Sequence, residues 1–298
     1  MTNPVDARGS QWDGETLLGS PPRPRTVFPW ANVLLFVATL FTTIIAGAGW
    51  AGVDLRQDPH LFYRGFPFAG ALLLILGCHE AGHYVLSRRW GVPASLPYFI
   101  PLPMGLGTLG AFIKLRSPIL NRRVLFDIGA AGPLAGFVVA IPIILIGLSL
   151  SDVQPSTQQP GLTLGSSLLF SFLTKWVLGA SPSDYTIILH PLAFAGWIGL
   201  FITALNLLPV GQLDGGHLIY AIFSKRHRIV TVATLAILIP LGFFWQGWFV
   251  WAALTAFFGF HHPPVIDELT PLDRRRKYLG WVCLAIFALS FTPVPFQI

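Results

Sequence analysis

Three ionisable residues crowd five positions near the end of an apolar run: His79, Glu80 and His83, in the order H-E-A-G-H. On a helix, residues four apart share a face about one turn apart. Two imidazoles held this way can bind one Zn2+ at ~2.0–2.1 Å per nitrogen. Glu80 stands beside the first imidazole, where its carboxylate can take a proton from a water at the metal. In a soluble helix the same residues could form an ordinary polar face. Here the flanks read Ala-Leu-Leu-Leu-Ile-Leu-Gly and Tyr-Val-Leu. An ionisable group at membrane depth is costly and usually functional, so a metal centre is expected. Cys78, beside His79, is expected to be a small packing residue.

The elements that must position these groups are membrane helices. The chain is 53% hydrophobic and 11% charged, with a mean hydropathy of +0.65; soluble domains average ~25% charged residues. The expectation is an all-α polytopic membrane protein with about seven transmembrane helices. The net charge is +6, but the basic residues cluster between apolar runs and carry no interleaved aromatics. That pattern favours a lipid bilayer over nucleic acid as partner. Cys78 and Cys283 lie far apart in apolar runs, so no disulfide framework is implied.

Residues 1–26 are polar and rich in Pro, Gly, Ser and Thr. They read as a disordered cytoplasmic tail ahead of a membrane domain over 27–298, with a catalytic core at about 67–223. No apolar core follows the start closely enough for a cleavable signal, so the first span is read as a signal-anchor. Spans are expected at about Val27–Ala51, Pro67–Leu86, Val124–Leu150 and Tyr185–Leu208. Further apolar runs cover Ile229–Trp245, Trp248–Phe260 and Leu279–Phe296. The middle one is short, which allows a re-entrant or tilted pair.

The stretch from Pro97 to Phe112 is apolar but full of Pro and Gly. A continuous helix is not expected there, yet it is too apolar for an exposed loop. A re-entrant loop or short β-hairpin dipping into the bilayer fits both facts. Asp127 is expected to be a helix N-terminal charge. Gly132-Pro133-Leu134-Ala135-Gly136 gives its helix a small-residue face for close contact. In the outer loop Ser151–Asp184, Leu168–Leu178 is expected to lie on the membrane surface, and His190 at the interface.

Lys and Arg set the orientation. Arg88–Arg123, Lys225–Arg228 and Arg274–Lys277 are basic, while Ser151–Asp184 holds only Lys175. With the spans as drawn, the basic segments share the cytoplasmic side. The expected home is a bacterial cytoplasmic (inner) membrane, with the N-terminus and the metal centre toward the cytoplasm. His83 precedes Arg88 by five residues, which puts the metal roughly 8–14 Å below that interface.

A catalytic zinc needs a third protein ligand. Asp214 follows the fourth span at matching depth, in broken backbone that can line a cavity. His217 is the second candidate. Asp214-Gly215-Gly216 is also an ordinary turn signal, and on spacing alone both readings of Asp214 stand.

H-E-A-G-H at 79–83, G-P-L-A-G at 132–136 and N-L-L-P-V-G-Q-L-D-G-G at 206–216 resemble, in sequence and order, the site-2 protease family of intramembrane zinc metalloproteases. The likeness covers about Pro67 to Phe223. It implies one zinc per chain held by His79, His83 and Asp214, with Glu80 as catalytic base. Asn206, in the N-x-x-P stretch, is implied to hold substrate or the oxyanion. The implied reaction is hydrolysis of peptide bonds within or near transmembrane segments of membrane-protein substrates. Gly107-Thr108-Leu109-Gly110-Ala111 is similar to the bacterial and plastid branch. The chain departs from many members in that Ser151–Asp184 is too short for a PDZ insertion.

Two other classes compete. A di-iron oxidase needs several histidine boxes, and outside 79–83 only His261 and His262 are adjacent among eight histidines. A metal transporter would distribute ionisable groups over several spans. Here they gather at one depth.

Overall fold

The computed structural model describes residues 29–155, 163–179, 185–258 and 264–297. The expected tail, 1–26, lies outside them. The fold is mostly helical. α1 (Trp30–Trp50) leads through a 3₁₀ segment, Pro59–Gly65, into α2 (Phe66–Arg89), which carries the H-E-x-x-H motif. β1 (Tyr98–Pro101) and β2 (Thr108–Phe112) follow as an antiparallel hairpin. Next come α3 (Arg122–Ser149), β3 (Asp152–Pro155), β4 (Thr163–Leu164), α4 (Leu168–Leu178) and β5 (Tyr185–Ile188). The chain then runs through α5 (Pro191–Asn206), α6 (Asp214–Phe223), α7 (His227–Leu241), α8 (Gly247–Phe258), α9 (Arg274–Ser290) and β6 (Phe296–Gln297).

Among the described residues, three helices are long and apolar enough to cross a membrane: α1, α2 with its 3₁₀ lead-in, and α3. α4, α5, α7 and α8 are apolar but shorter than the ~20 residues a perpendicular crossing needs.

Helix starts follow local chemistry. Asn121 caps α3, its side-chain oxygen accepting from the Arg123 and Val124 amides. Asp273 caps α9 by accepting from Arg276 N–H, and that bond holds its carboxyl below the usual range. Pro191 at the first position of α5 fixes that helix start, and His190 caps it by accepting from Leu192 N–H at 3.3 Å. The sequence suggested one span from Tyr185 to Leu208; instead Tyr185–Ile188 pairs with Asp152–Pro155 and the helix begins only at Pro191. The run Leu279–Phe296 likewise splits. α9 ends at Ser290 ahead of Pro293 and Pro295, and Phe296 turns back to pair with Leu164 and meet the Trp197 ring edge-on at 5.3 Å. α4 buries Phe170 and Leu173 in the main core and leaves Leu168, Phe172 and Trp176 exposed on its other face.

That core is the seam of α2, α3 and α5, with Leu72, Ile75, Ile144, Trp197 and Ile198 almost fully enclosed. A second cluster joins α3, α6 and α9 through Leu125, Phe126, Leu218 and Ile286. The α3–α9 contact carries a two-bond ion pair. Arg276 donates from Nε to Asp127 Oδ1 at 2.8 Å and from Nη2 to Oδ2 at 2.6 Å. Trp90 Nε1 adds a third donor to Asp127 at 3.1 Å. Asp127 is therefore an interhelical anchor, not the helix-end charge its position suggested.

The hairpin lies along α1. Asn32 Nδ2 donates to the carbonyls of Leu96 and Pro97, both at 2.9 Å. Trp50 Nε1 donates to Gly105 O at 3.0 Å. Between them Thr42 Oγ1 lies 2.6 Å from Gly107 O, nearer than its own helix carbonyls at 3.0 and 3.1 Å. Gly107 has φ +81°, and a Cβ there would sit 2.4 Å from Thr43 Cα. Only glycine permits both the turn and the approach.

Candidate active site

The helical phase of α2 turns His79, Glu80 and His83 inward, and all three are buried. Two breaks in the chain bring the other side of the site to them. α5 stops at Asn206, the chain reverses through Pro209 and Gly211, and α6 starts at Asp214. Asp214 is the first residue of a helix, so Asp214-Gly215-Gly216 is not a turn. The glycines are needed because α6 packs on the reversal. A Cβ at Gly215 would lie 2.1 Å from Leu207 O, and one at Gly216 would lie 2.3 Å from Gly211 O.

The three side chains converge. Asp214 Oδ2 is 3.2 Å from His79 Nε2 and 3.3 Å from His83 Nε2. The two Nε2 atoms are 3.1 Å apart. A tetrahedral zinc with bonds of ~2.0–2.1 Å places its ligand atoms about 3.3–3.4 Å from one another. The triangle is that size to within a few tenths of an ångström. Among the described residues this is the one grouping of three or more His, Cys, Asp or Glu able to share a metal. The donor set suits zinc, whose catalytic sites take imidazole and carboxylate ligands.

The surroundings fix the donors. His83 Nδ1 donates to Ile128 O at 2.8 Å. That bond puts the ring proton on Nδ1 and leaves the Nε2 lone pair facing the triangle. Gly129, Gly132 and Gly136 of α3 form one helical face beneath the site. A Cβ at Gly132 would lie 2.1 Å from His83 Nε2, one at Gly136 3.3 Å from His79 Cβ, and one at Gly129 3.1 Å from His217 Cβ. Gly82 of α2 lets the two helices close up, since a Cβ there would be 2.4 Å from Ala131 O. The small-residue face expected at 132–136 is thus the floor of the site. Gly129 extends it by one turn, and no motif flagged it.

The triangle opens into a cavity of ≈ 250 Å³, lined by Glu80, Ala111, Ile113, Asn206 and His217 among others. Glu80 borders this space with its carboxylate toward the Ile113 backbone. Asn206 Nδ2 is 3.4 Å from His79 Nε2. His217, the second ligand candidate, lines the cavity one turn beyond Asp214 and is outside the convergent trio. Cys78, although adjacent to His79, is also outside it.

The β2 side of the cavity is a strand edge. Ser95 N–H donates to Lys114 O at 2.9 Å and Arg116 N–H to Pro93 O at 2.8 Å. Leu115, between them, therefore turns its own N–H and C=O away from the partner strand. By period two, so do Ile113 and Ala111.

The fold and the site together are those of an apolar helical protein whose convergent trio, with both imidazoles buried and Asp214 partly buried, could hold a metal ion beside a glutamate. Residues 67–245 match the family described as Peptidase family M50, and the chain belongs to that family. It is 33% identical over 272 residues to the probable zinc metalloprotease EGY2, chloroplastic, of Arabidopsis thaliana, covering 87% of this chain and 48% of that protein. Against the probable zinc metalloprotease EGY1, chloroplastic, of the same plant, identity is 32% over 253 residues, 80% of this chain and 45% of the relative. The rice (Oryza sativa subsp. japonica) EGY1 protein is 31% identical over 232 residues, 69% of this chain and 40% of the relative. The chain spans about half the length of these relatives. Family and apolar helices together make it an integral membrane protein. The relatives are named as chloroplastic and so lend no support to a bacterial inner membrane.

Proposed function

We propose that this chain is an intramembrane zinc metalloprotease that hydrolyses peptide bonds within or near transmembrane segments of membrane proteins. The observation that carries the reading is the triangle of His79 Nε2, His83 Nε2 and Asp214 Oδ2, with edges of 3.1–3.3 Å, opening on a cavity bordered by Glu80. His79, His83 and Asp214 hold one zinc. When bound, zinc supplies Lewis acidity, acidifying a water and polarising the peptide carbonyl. Glu80 takes the proton of the attacking water and delivers it to the leaving amine nitrogen. Asn206 offers its amide to the substrate carbonyl as negative charge develops there.

A helical substrate hides its scissile carbonyl in an i→i−4 bond and must unwind before attack. In lipid the freed backbone groups need partners. The outward edge of β2, at Ala111 and Ile113, can pair with them as an added strand. This requires the hairpin to sit at membrane depth. Asn32 and Trp50, which hold its base and its tip, are 18 positions apart on α1, a rise of ~27 Å, most of a ~30 Å hydrocarbon core. That supports a re-entrant hairpin. With α5, α7, α8 and α9 as the remaining spans, the count is seven, in a membrane domain over 27–298 whose catalytic core is 67–223. The clustering of Lys and Arg between spans supports a metal centre that faces the cytoplasmic side.

The test is direct. The purified chain in detergent is incubated with a panel of single-span membrane proteins, with and without a chelator. Cleavage that the chelator removes and added zinc restores is expected. A zinc-loaded protein that cuts no member of the panel overturns the reading.

A further inference from the structure

The four bonds that three residues of α1 make to the hairpin have no role in holding the metal or moving a proton, yet they are specific. Asn32 satisfies both of its amide hydrogens on Leu96 O and Pro97 O, at the base of the hairpin. Thr42 and Trp50 take Gly107 O and Gly105 O, at its tip. The carbonyl of Gly107 also receives Leu102 N–H at 3.0 Å, so the tip is closed and tethered through one atom. Between the two ends Phe36 meets Phe99 edge-on at 5.1 Å. β1 is thus fixed against α1, and β2 hangs from β1 with its free edge toward Glu80.

A strand added to that edge can slide. Pairing depends on backbone groups alone, and a slip of two residues restores every hydrogen bond and every facing side chain. The bond presented to Glu80 is then set by the height of the edge over the metal triad. We propose that Asn32, Thr42 and Trp50 of α1 are positioning residues that set this height, and thereby choose which peptide bond is cut. The inference rests on the protease reading above and adds to it where bond selection comes from.

The experiment uses the full chain in phosphatidylcholine–phosphatidylglycerol vesicles with synthetic single-span peptides, each carrying one Gly-Pro interruption. For any peptide the wild type cuts, the products are identified by mass spectrometry. Thr42→Val removes the hydroxyl and keeps the shape. Asn32→Leu removes the amide that donates to Leu96 O and Pro97 O at the base of the hairpin and keeps a similar shape. Each lost hydrogen bond should change the ratio of bonds cut by roughly a factor of 2–10, with new products displaced by two residues. Thr42→Ser, which keeps the hydroxyl, should cut like the wild type. Bound zinc should stay at wild-type level throughout, which separates misplacement from unfolding. Cleavage of the same single bond in Thr42→Val, Asn32→Leu and the double variant, whatever the rate, overturns the inference and leaves the protease reading standing. A zinc-loaded wild type that cuts none of the peptides overturns both.

Discussion

Gly132 and His83 share one small space: a Cβ on the glycine would lie 2.1 Å from the imidazole Nε2. α2 and α3 are also in close contact at the adjoining residues, where a Cβ at Gly82 would lie 2.4 Å from Ala131 O. Gly132→Ala should therefore push the His83 ring off the triangle while leaving the helix itself better propensity than before. Metal affinity should fall at least as far as for lost ligand support, ~10–100-fold. Gly136→Ala, whose Cβ would meet His79 at 3.3 Å, should cost much less. Zinc titration of the two variants checks the order, and equal affinities would contradict it.

The part of this site legible in the sequence is the part that one helix determines. His79 and His83 meet because residues four apart always do. Depth and broken backbone left Asp214 open between ligand and turn residue, only the family resemblance favoured the ligand, and its place as the first residue of α6 was not readable. The small-residue face at 132–136 was readable, but its place beneath the imidazoles and its extension to Gly129 were not, because both depend on how closely α2 and α3 cross. Nor was the Arg276–Asp127 pair, whose partners lie 149 residues apart. Apolar content alone also merged unlike elements. It joined β5 to α5 and α9 to the C-terminal strand, although Pro191, Pro293 and Pro295 marked the breaks.

Glu80→Gln should separate metal binding from hydrolysis. The amide keeps the shape and cannot accept the water's proton. Cleavage should fall ~10²–10⁴-fold, and further if the same group also protonates the leaving amine. Bound zinc should be unchanged, since Glu80 is outside the convergent trio. Near-normal cleavage would move the base elsewhere.

One equivalent of zinc per chain is expected, removable by chelation and lost in His79→Ala or Asp214→Ala. Each variant leaves two donors of a three-donor triangle with edges of 3.1–3.3 Å. Elemental analysis of the purified variants decides it. Full retention in His79→Ala would refute the ligand assignment.

The Arg276–Asp127 pair should matter for stability more than an ordinary surface pair. It is bidentate, mostly buried, and also receives the Trp90 N–H. Asp127→Asn leaves the guanidinium without its counter-charge and should cost roughly 1–3 kcal/mol. Arg276→Gln with Asp127→Asn should recover part of that, as a double-mutant cycle in detergent would register. Asp273, which also pairs with Arg276, titrates below its ordinary value because it accepts from the Arg276 amide. Its contribution is fully present above its unfolded pKa of ~4, and is lost as pH falls through the lower folded value. The start of α9 should accordingly loosen only in acid, well below neutrality.

The last expectation concerns the edge of β2. If that edge receives the unwound substrate, its outward N–H groups matter more than its side chains. Ala111 is the clearest position, since it lines the cavity and its backbone points away from β1. Ala111→Pro removes one N–H from the free edge, where proline is tolerated in a strand, and leaves the pairing of β2 with β1 in place. A substrate carbonyl then goes unpaired in lipid. An unsatisfied buried group costs ~1–3 kcal/mol, so cleavage should fall roughly 5–150-fold. Ala111→Ser keeps the N–H and should be mild. Proline at Phe112, whose N–H faces β1 by the same alternation, should instead break the hairpin and disturb its contacts with α1. Bound zinc should be the same in Ala111→Pro as in the wild type, because no metal ligand lies in the hairpin. Measuring cleavage and zinc together in these three variants distinguishes the cases. Equal activity in Ala111→Pro and Ala111→Ser would mean that the substrate backbone is held elsewhere, with Asn206 the next group to test.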